Sequence, residues 1–204
     1  MYTDLTYINL SMDANLPRII VLQKNLGQGD NHPLIAWKVI RNCGYEWSHP
    51  IRFDWGLSLG LSDIHGNESP RISLGREGIR HQMCPGTGGG VIVKTGSDPM
   101  EISVSNRTGR ESYTARIYRS GFLLALRPRI LPGETVNFHF NNTILIGTGL
   151  RVIQGQPLPP GRLSDFKTQI DLSGLKKARI LMLGGGPGPG SKPLRFFLEG
   201  RKKW

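Results

Sequence analysis

The stretch HPIRFDWGLSLGLSD, residues 49–63, constrains the fold more than any other part of the chain. Its odd positions are Ile51, Phe53, Trp55, Leu57, Leu59 and Leu61, whereas its even positions are Arg52, Asp54, Gly56, Ser58, Gly60 and Ser62. Successive side chains of a strand point to opposite sides, so this period of two sets an apolar face on a core and a polar face outward. Phe53 and Trp55 are thereby assigned to the core.

The alternation recurs. In ETVNFHF, Val136, Phe138 and Phe140 oppose Thr135, Asn137 and His139; in FKTQIDL, Phe166, Thr168, Ile170 and Leu172 oppose Lys167, Gln169 and Asp171. Further strands are expected within 18–23, 34–42, 71–74, 90–95, 100–105, 112–118, 122–127, 143–153, 178–183 and 194–199. Turn chemistry separates them. Ser120-Gly121 reads as the corner of a tight hairpin, since glycine accepts positive φ. Leu131-Pro132-Gly133-Glu134 places Pro and Gly where a type II turn needs them. GQPLPPG, residues 155–161, is an extended linker that cannot enter a central strand.

With 27 glycines and 14 prolines and no collagen-like period, the chain has no room for a long helix. The expected fold is all-β, an antiparallel β-sandwich of Greek-key or jelly-roll type. One domain is expected over 17–200, with its core in 17–154 and added strands in 162–200. Residues 1–16 read as an N-terminal segment free to be flexible, and 201–204 as a basic tail. The roughly 40 residues after the linker bury too little surface to stand as a domain alone.

Charge narrows the partners. The formal net charge is +11, but residues 1–70 carry −2 and residues 71–204 carry +13. Arg107, Arg110, Arg116, Arg119, Arg127 and Arg129 face a single Glu111 in their stretch, and Arg201-Lys202-Lys203-Trp204 closes the sequence. Such a balance suits an anionic polymer, nucleic acid, an acidic carbohydrate or a lipid surface, or else a merely solvated positive surface. Arg116 and Arg119, just before the hairpin corner, are the candidate anion contacts. Tyr45 and Trp47, in the turn CGYEWSHP, are candidates for stacking on a sugar or entering a membrane interface. Otherwise Trp47 plugs the end of a core.

Catalytic signatures are sparse. LMLGGGPGPGSKP, residues 181–193, has the glycines of a phosphate loop, but Lys192 follows Ser191 and the prolines at 187 and 189 lack N–H groups. LRFFLEG then alternates as a strand, so the stretch reads as a wide hairpin that lets another backbone, ligand or subunit approach closely. CPGTGGG, residues 84–90, precedes a strand and opens no helix, and reads as a loop. The histidines form no metal-ligand spacing, and no cofactor or metal is expected. Asp63 and His65 can share a strand face, although DIHGNESP reads first as a turn. An enzyme site assembled across strands would draw on His49, Asp63, His65 or His139.

Cys43 and Cys84 allow one disulfide or two reduced thiols. The start of the chain has acidic residues where a signal peptide needs positive ones, and no stretch approaches a spanning helix, so a soluble, by default cytoplasmic protein is expected. Asn-X-Ser/Thr triplets at Asn9, Asn67, Asn106 and Asn141 carry no weight without a secretory route. The leading expectation is a non-enzymatic β-sandwich that binds an anionic or carbohydrate surface or associates with itself as a homo-oligomer. A His/Asp enzyme and a basic nucleic-acid-binding or coat-like protein are the alternatives.

Overall fold

Sixteen strands form four four-stranded sheets among the described residues. The structure is a computed structural model that describes every residue except 14, 29–32, 76, 85–89, 159–165 and 167. In chain order the strands are β1 (Tyr2–Asn9), β2 (Arg18–Leu22), β3 (Lys38–Ile40), β4 (Ser48–Asp54), β5 (Leu57–Ser62) and β6 (Ile72–Leu74). There follow β7 (Gly78–Met83), β8 (Gly90–Thr95), β9 (Glu101–Asn106), β10 (Tyr113–Arg119) and β11 (Phe122–Ile130). The last five are β12 (Thr135–His139), β13 (Thr143–Gly149), β14 (Thr168–Asp171), β15 (Leu175–Gly185) and β16 (Lys192–Lys203). Short 3-10 turns lie at Leu26–Gln28 and Gly188–Gly190. The all-β expectation therefore holds, with mostly antiparallel pairing.

The chain divides into two compact units. The first comprises Met1–Gln23, Ala36–Trp55 and Asn142–Trp204, and holds the sheets β16-β15-β1-β4 and β14-β13-β2-β3. The second comprises Lys24–Ile35 and Gly56–Asn141, with the sheets β11-β10-β5-β6 and β12-β9-β8-β7. The alternating stretch 49–63 straddles this division: Ile51 and Phe53 enter one core on β4, while Leu57, Leu59 and Leu61 enter the other on β5, all at 3% exposure or less. Its phase identified these five buried residues, but Trp55, assigned to the core, is half-buried, and Gly60 and Ser62, assigned to the polar face, are buried as well. Alternation does not say which strand will lie alongside, so the break at Trp55-Gly56 was invisible.

In the first unit, Trp37 meets Phe53 edge-on with ring centroids 5.6 Å apart, joining the lead-in to β3 with β4. Trp55 is half-buried, stacks edge-on against Phe53 and donates from Nε1 to Thr3 Oγ1 (3.2 Å). Within the N-terminal segment, Tyr2–Asn9 forms a strand. β1 lies inside its sheet, antiparallel to β4 and parallel to β15, with Asp4 opposite Lys177 and Asn9 opposite Met182. Thr3 and Asn9 sit on its buried face beside Leu5 and Tyr7, and this mixture of polar and apolar residues hid the period. Each polar group has a partner: Thr3 Oγ1 donates to the Leu175 carbonyl, and Asn9 Nδ2 to the Cys43 carbonyl (2.6 Å).

The expected turn chemistry holds. Arg119 pairs with Phe122 across a corner in which Ser120 and Gly121 take φ of 51° and 79°, the positive values a two-residue hairpin requires. Glu134 N–H donates to the Leu131 carbonyl across Pro132-Gly133. The Gly-rich stretch is the β15–β16 hairpin, and its close backbone approach is internal: a Cβ on Gly184 would lie 2.4 Å from the Pro193 carbonyl oxygen, and one on Gly185 2.7 Å from Asp13 N. The linker 155–161 and the loop 84–90 fall partly outside the described residues. Residues 201–203, expected as a tail, are paired strand, with Lys202 opposite Lys177.

Two Asn-X-Ser/Thr triplets prove to be interior knots. Asn9 Oδ1 accepts from both the N–H and Oγ of Ser11; Asn106 Oδ1 accepts in the same way from Thr108. Both asparagines are at most 1% exposed. An Asn side chain that closes such a turn satisfies backbone groups that a strand end would otherwise leave unpaired.

Candidate functional site

Of the six arginines singled out between 107 and 129, Arg116, Arg119 and Arg127 are engaged within the fold, while Arg107, Arg110 and Arg129 are exposed. Arg116 lies on the outer side of β10, half-buried, with Nη1 3.3 Å from Glu68 Oε1. Arg119 shares the inward side of β10 with Tyr113, Ala115 and Ile117, is 1% exposed, and donates from Nη2 to Met100 Sδ (3.4 Å). It is closed to a partner in solution, because residues three apart on a strand face opposite ways. Arg127 pairs with Glu134 at 3.1 Å.

Of the acid–base candidates, Asp63 and His65 share one turn. His49 is exposed on β4 in the first unit, while Asp63, His65 and His139 belong to the second. Asp63 closes the turn after β5: its Oδ1 accepts the N–H groups of His65 (2.9 Å) and Asn67 (2.8 Å), and its Oδ2 accepts from Asn67 Nδ2 (2.7 Å). His139 ends β12, with Nε2 4.0 Å from Asp98 Oδ2, too long for a hydrogen bond. It lines an open concavity of about 500 Å³ with Lys94, Glu101, Ser103, Asn137 and Gly27. Ser103 donates to Asn137 Oδ1 there, and Asn25 Oδ1 fixes the wall by accepting from the N–H groups of His139 and Gly27. Among the described residues, no group of three His, Cys, Asp or Glu is placed to hold a metal ion.

Several carboxylates work as turn locks. The Asn67 amide holds the Asp63 carboxyl below its ordinary range, the Leu131 N–H and then Arg127 do so for Glu134, and the Ser173 hydroxyl and N–H for Asp171. A folded-state pKa below the unfolded value of about 4 contributes stability present above that value and lost as pH falls through the lowered one. Thermal melts are therefore expected to hold steady from neutral pH to about pH 5 and to fall steadily below about pH 4. A melting temperature unchanged down to pH 3 would remove these locks from the account.

Both cysteines are free and buried, and burial pushes each thiol above its ordinary pKa, which keeps it protonated and unreactive at neutral pH. Tyr45 and Trp47 are exposed, at 53% and 65%. Their loop is fixed: Asn9 N–H donates to the Trp47 carbonyl, Glu46 N–H to the Asn9 carbonyl, and the indole covers Gly44.

The densest exposed charge lies elsewhere. Residues 175–204, the β15–β16 hairpin with Trp204, carry Lys176, Lys177, Arg179, Lys192, Arg195, Arg201, Lys202 and Lys203 against Glu199 alone, net +7. All eight cations are exposed. Arg179 meets Glu199 at 3.8 Å, an exposed pair of little worth. Lys177 and Lys202 are partners on neighbouring strands, between two shifts of the β15–β16 register, a like-charge pairing of the kind that disfavours a sheet. Lys176 Nζ lies 5.2 Å from the Trp204 ring centroid, and Trp204 is held by hydrogen bonds to the carbonyls of Gly174 and Leu175. Sequence reading assigned 201–204 to a tail and gave the Lys176-Lys177 pair no role; the signal available was the count of cations after residue 175. Pairing of the two segments is what concentrates them.

No protein-family model, curated protein or solved structure matches the chain. Among the described residues, no helix is long and apolar enough to cross a membrane.

Proposed function

We propose that the chain is a non-enzymatic binding protein that takes a polyanionic partner on the β15–β16 hairpin. The observation that carries this reading is the density of cations there, eight against one carboxylate, with Lys177 partnered by Lys202. Partnered lysines disfavour a sheet, and an anion bridging the two offsets this. Among the 107–129 arginines, Arg116, Arg127 and Arg119 contribute little, because Glu68, Glu134 and the interior of the fold already engage them; Arg107, Arg110 and Arg129 are exposed but less densely set than the hairpin's eight cations.

Multiple phosphate or sulfate contacts displace condensed counterions, so affinity falls steeply and linearly on a log–log plot against salt. The full chain is expected to be retained on an immobilised sulfated polysaccharide at low salt and to elute as one band on a salt gradient. Passage through the column at low salt overturns the reading.

A further inference from the structure

We infer that the outer face of the β16-β15-β1-β4 sheet seats the chain on an anionic lipid bilayer; this rests on the polyanion reading above and names the partner. Strand alternation and register fix what this face presents. One row crosses three strands as Ile8, Leu181 and Phe197, each opposite the next, and all three are apolar. Beside it Leu183 pairs with Arg195. Phe197 is 46% exposed and Leu183 39%, so these side chains face solvent and not the core below, which Tyr7, Ile180 and Met182 fill.

Charge surrounds this apolar row. Arg195 flanks it on one side; Arg179 follows on the other, and beyond it Lys177 and Lys202. Three carboxylates share the face: Glu199 lies 3.8 Å from Arg179, Asp4 3.8 Å from Arg52, and Asp54 ends β4 opposite Tyr2, away from the apolar row. The surface thus joins an apolar centre to a cationic margin.

That combination discriminates among polyanions. A sulfated or phosphorylated polymer satisfies the cations but has nothing to cover Phe197, Leu181 and Leu183. Single-stranded nucleic acid would need a series of aromatic platforms, and the row contains only Phe197. An anionic bilayer supplies both at once, phosphates for the lysines and arginines and the boundary of the acyl region for the apolar row. Trp204, 56% exposed beside Lys176, has the amphipathic character of an interfacial aromatic.

The test is co-sedimentation of the full chain with phosphatidylserine–phosphatidylcholine vesicles and with pure phosphatidylcholine vesicles, alongside the polysaccharide column. Binding is expected to the mixed vesicles and not to the neutral ones. A Phe197→Ser, Leu183→Ser double variant is expected to lose roughly tenfold or more in vesicle affinity while eluting from the polysaccharide at the unchanged salt concentration. Should that variant fail to fold by circular dichroism, Phe197→Ala alone carries the same comparison with a smaller loss. Retention on the polysaccharide without vesicle binding overturns the bilayer assignment and leaves the polyanion reading standing; binding to neither overturns both. Undiminished vesicle affinity of the serine or alanine variant also overturns the assignment, since the apolar row is what selects a bilayer.

Discussion

Asn106→Ala is expected to cost roughly 2–4 kcal/mol of stability, because it strips partners from several buried polar groups at once. Asn106 Nδ2 donates to the carbonyls of Glu111 (2.7 Å) and Ile130 (2.9 Å), and its Oδ1 accepts the N–H (3.0 Å) and hydroxyl (2.6 Å) of Thr108. The residue is fully buried. Alanine leaves the Ile130 carbonyl and the Thr108 N–H without these bonds inside the unit, and an unsatisfied buried group costs about 1–3 kcal/mol. Asn106→Asp should do no better: a carboxylate keeps both acceptor bonds but cannot donate to either carbonyl, and it buries a charge. Denaturant titration checks both variants. A loss under about 1 kcal/mol would mean that water or a shifted backbone replaces the amide.

Lys202→Glu should move stability and binding in opposite directions. The new carboxylate faces Lys177 across the strand pair, turning a like-charge contact into an attractive one and raising stability by about 0.2–1 kcal/mol. The same change replaces a cation by an anion on the proposed binding face. At about 1 kcal/mol per charge near an anionic surface, the two-unit change weakens binding by roughly 2 kcal/mol, on the order of thirtyfold. Arg116→Ala is the control, since Glu68 already engages that guanidinium, and it should leave binding nearly unchanged. A Lys202→Glu protein that melts higher yet binds as before would separate the like-charge pair from function. Loss of binding on Arg116→Ala would return the site to the region that the sequence alone suggested.

Much of the candidate site was written in the chain and misread for lack of pairing. The excess of cations after residue 175 is a matter of counting. That Lys177 stands opposite Lys202, that Ile8 aligns with Leu181 and Phe197, and that Arg119 turns inward are facts of register. Arg119 was the most legible of these, because period two already sets it on the side of Ile117. Asn106 and Asn9 were harder: an Asn-X-Ser/Thr triplet looks the same in an exposed loop and in a buried knot, and burial alone separates the cases.

By itself the sequence determined the all-β class, the buried faces of β4, β5, β12 and β14, and the corners at Ser120-Gly121 and Pro132-Gly133. These follow from local sterics, the alternation of side chains along a strand and the φ that a glycine permits. Only the tertiary structure decided that one alternating stretch serves two units, that β1 joins a sheet beside β15, and where the charge gathers. Strand partners separated by more than 170 residues are chosen by the packing of whole faces, and no local run of residues encodes that choice.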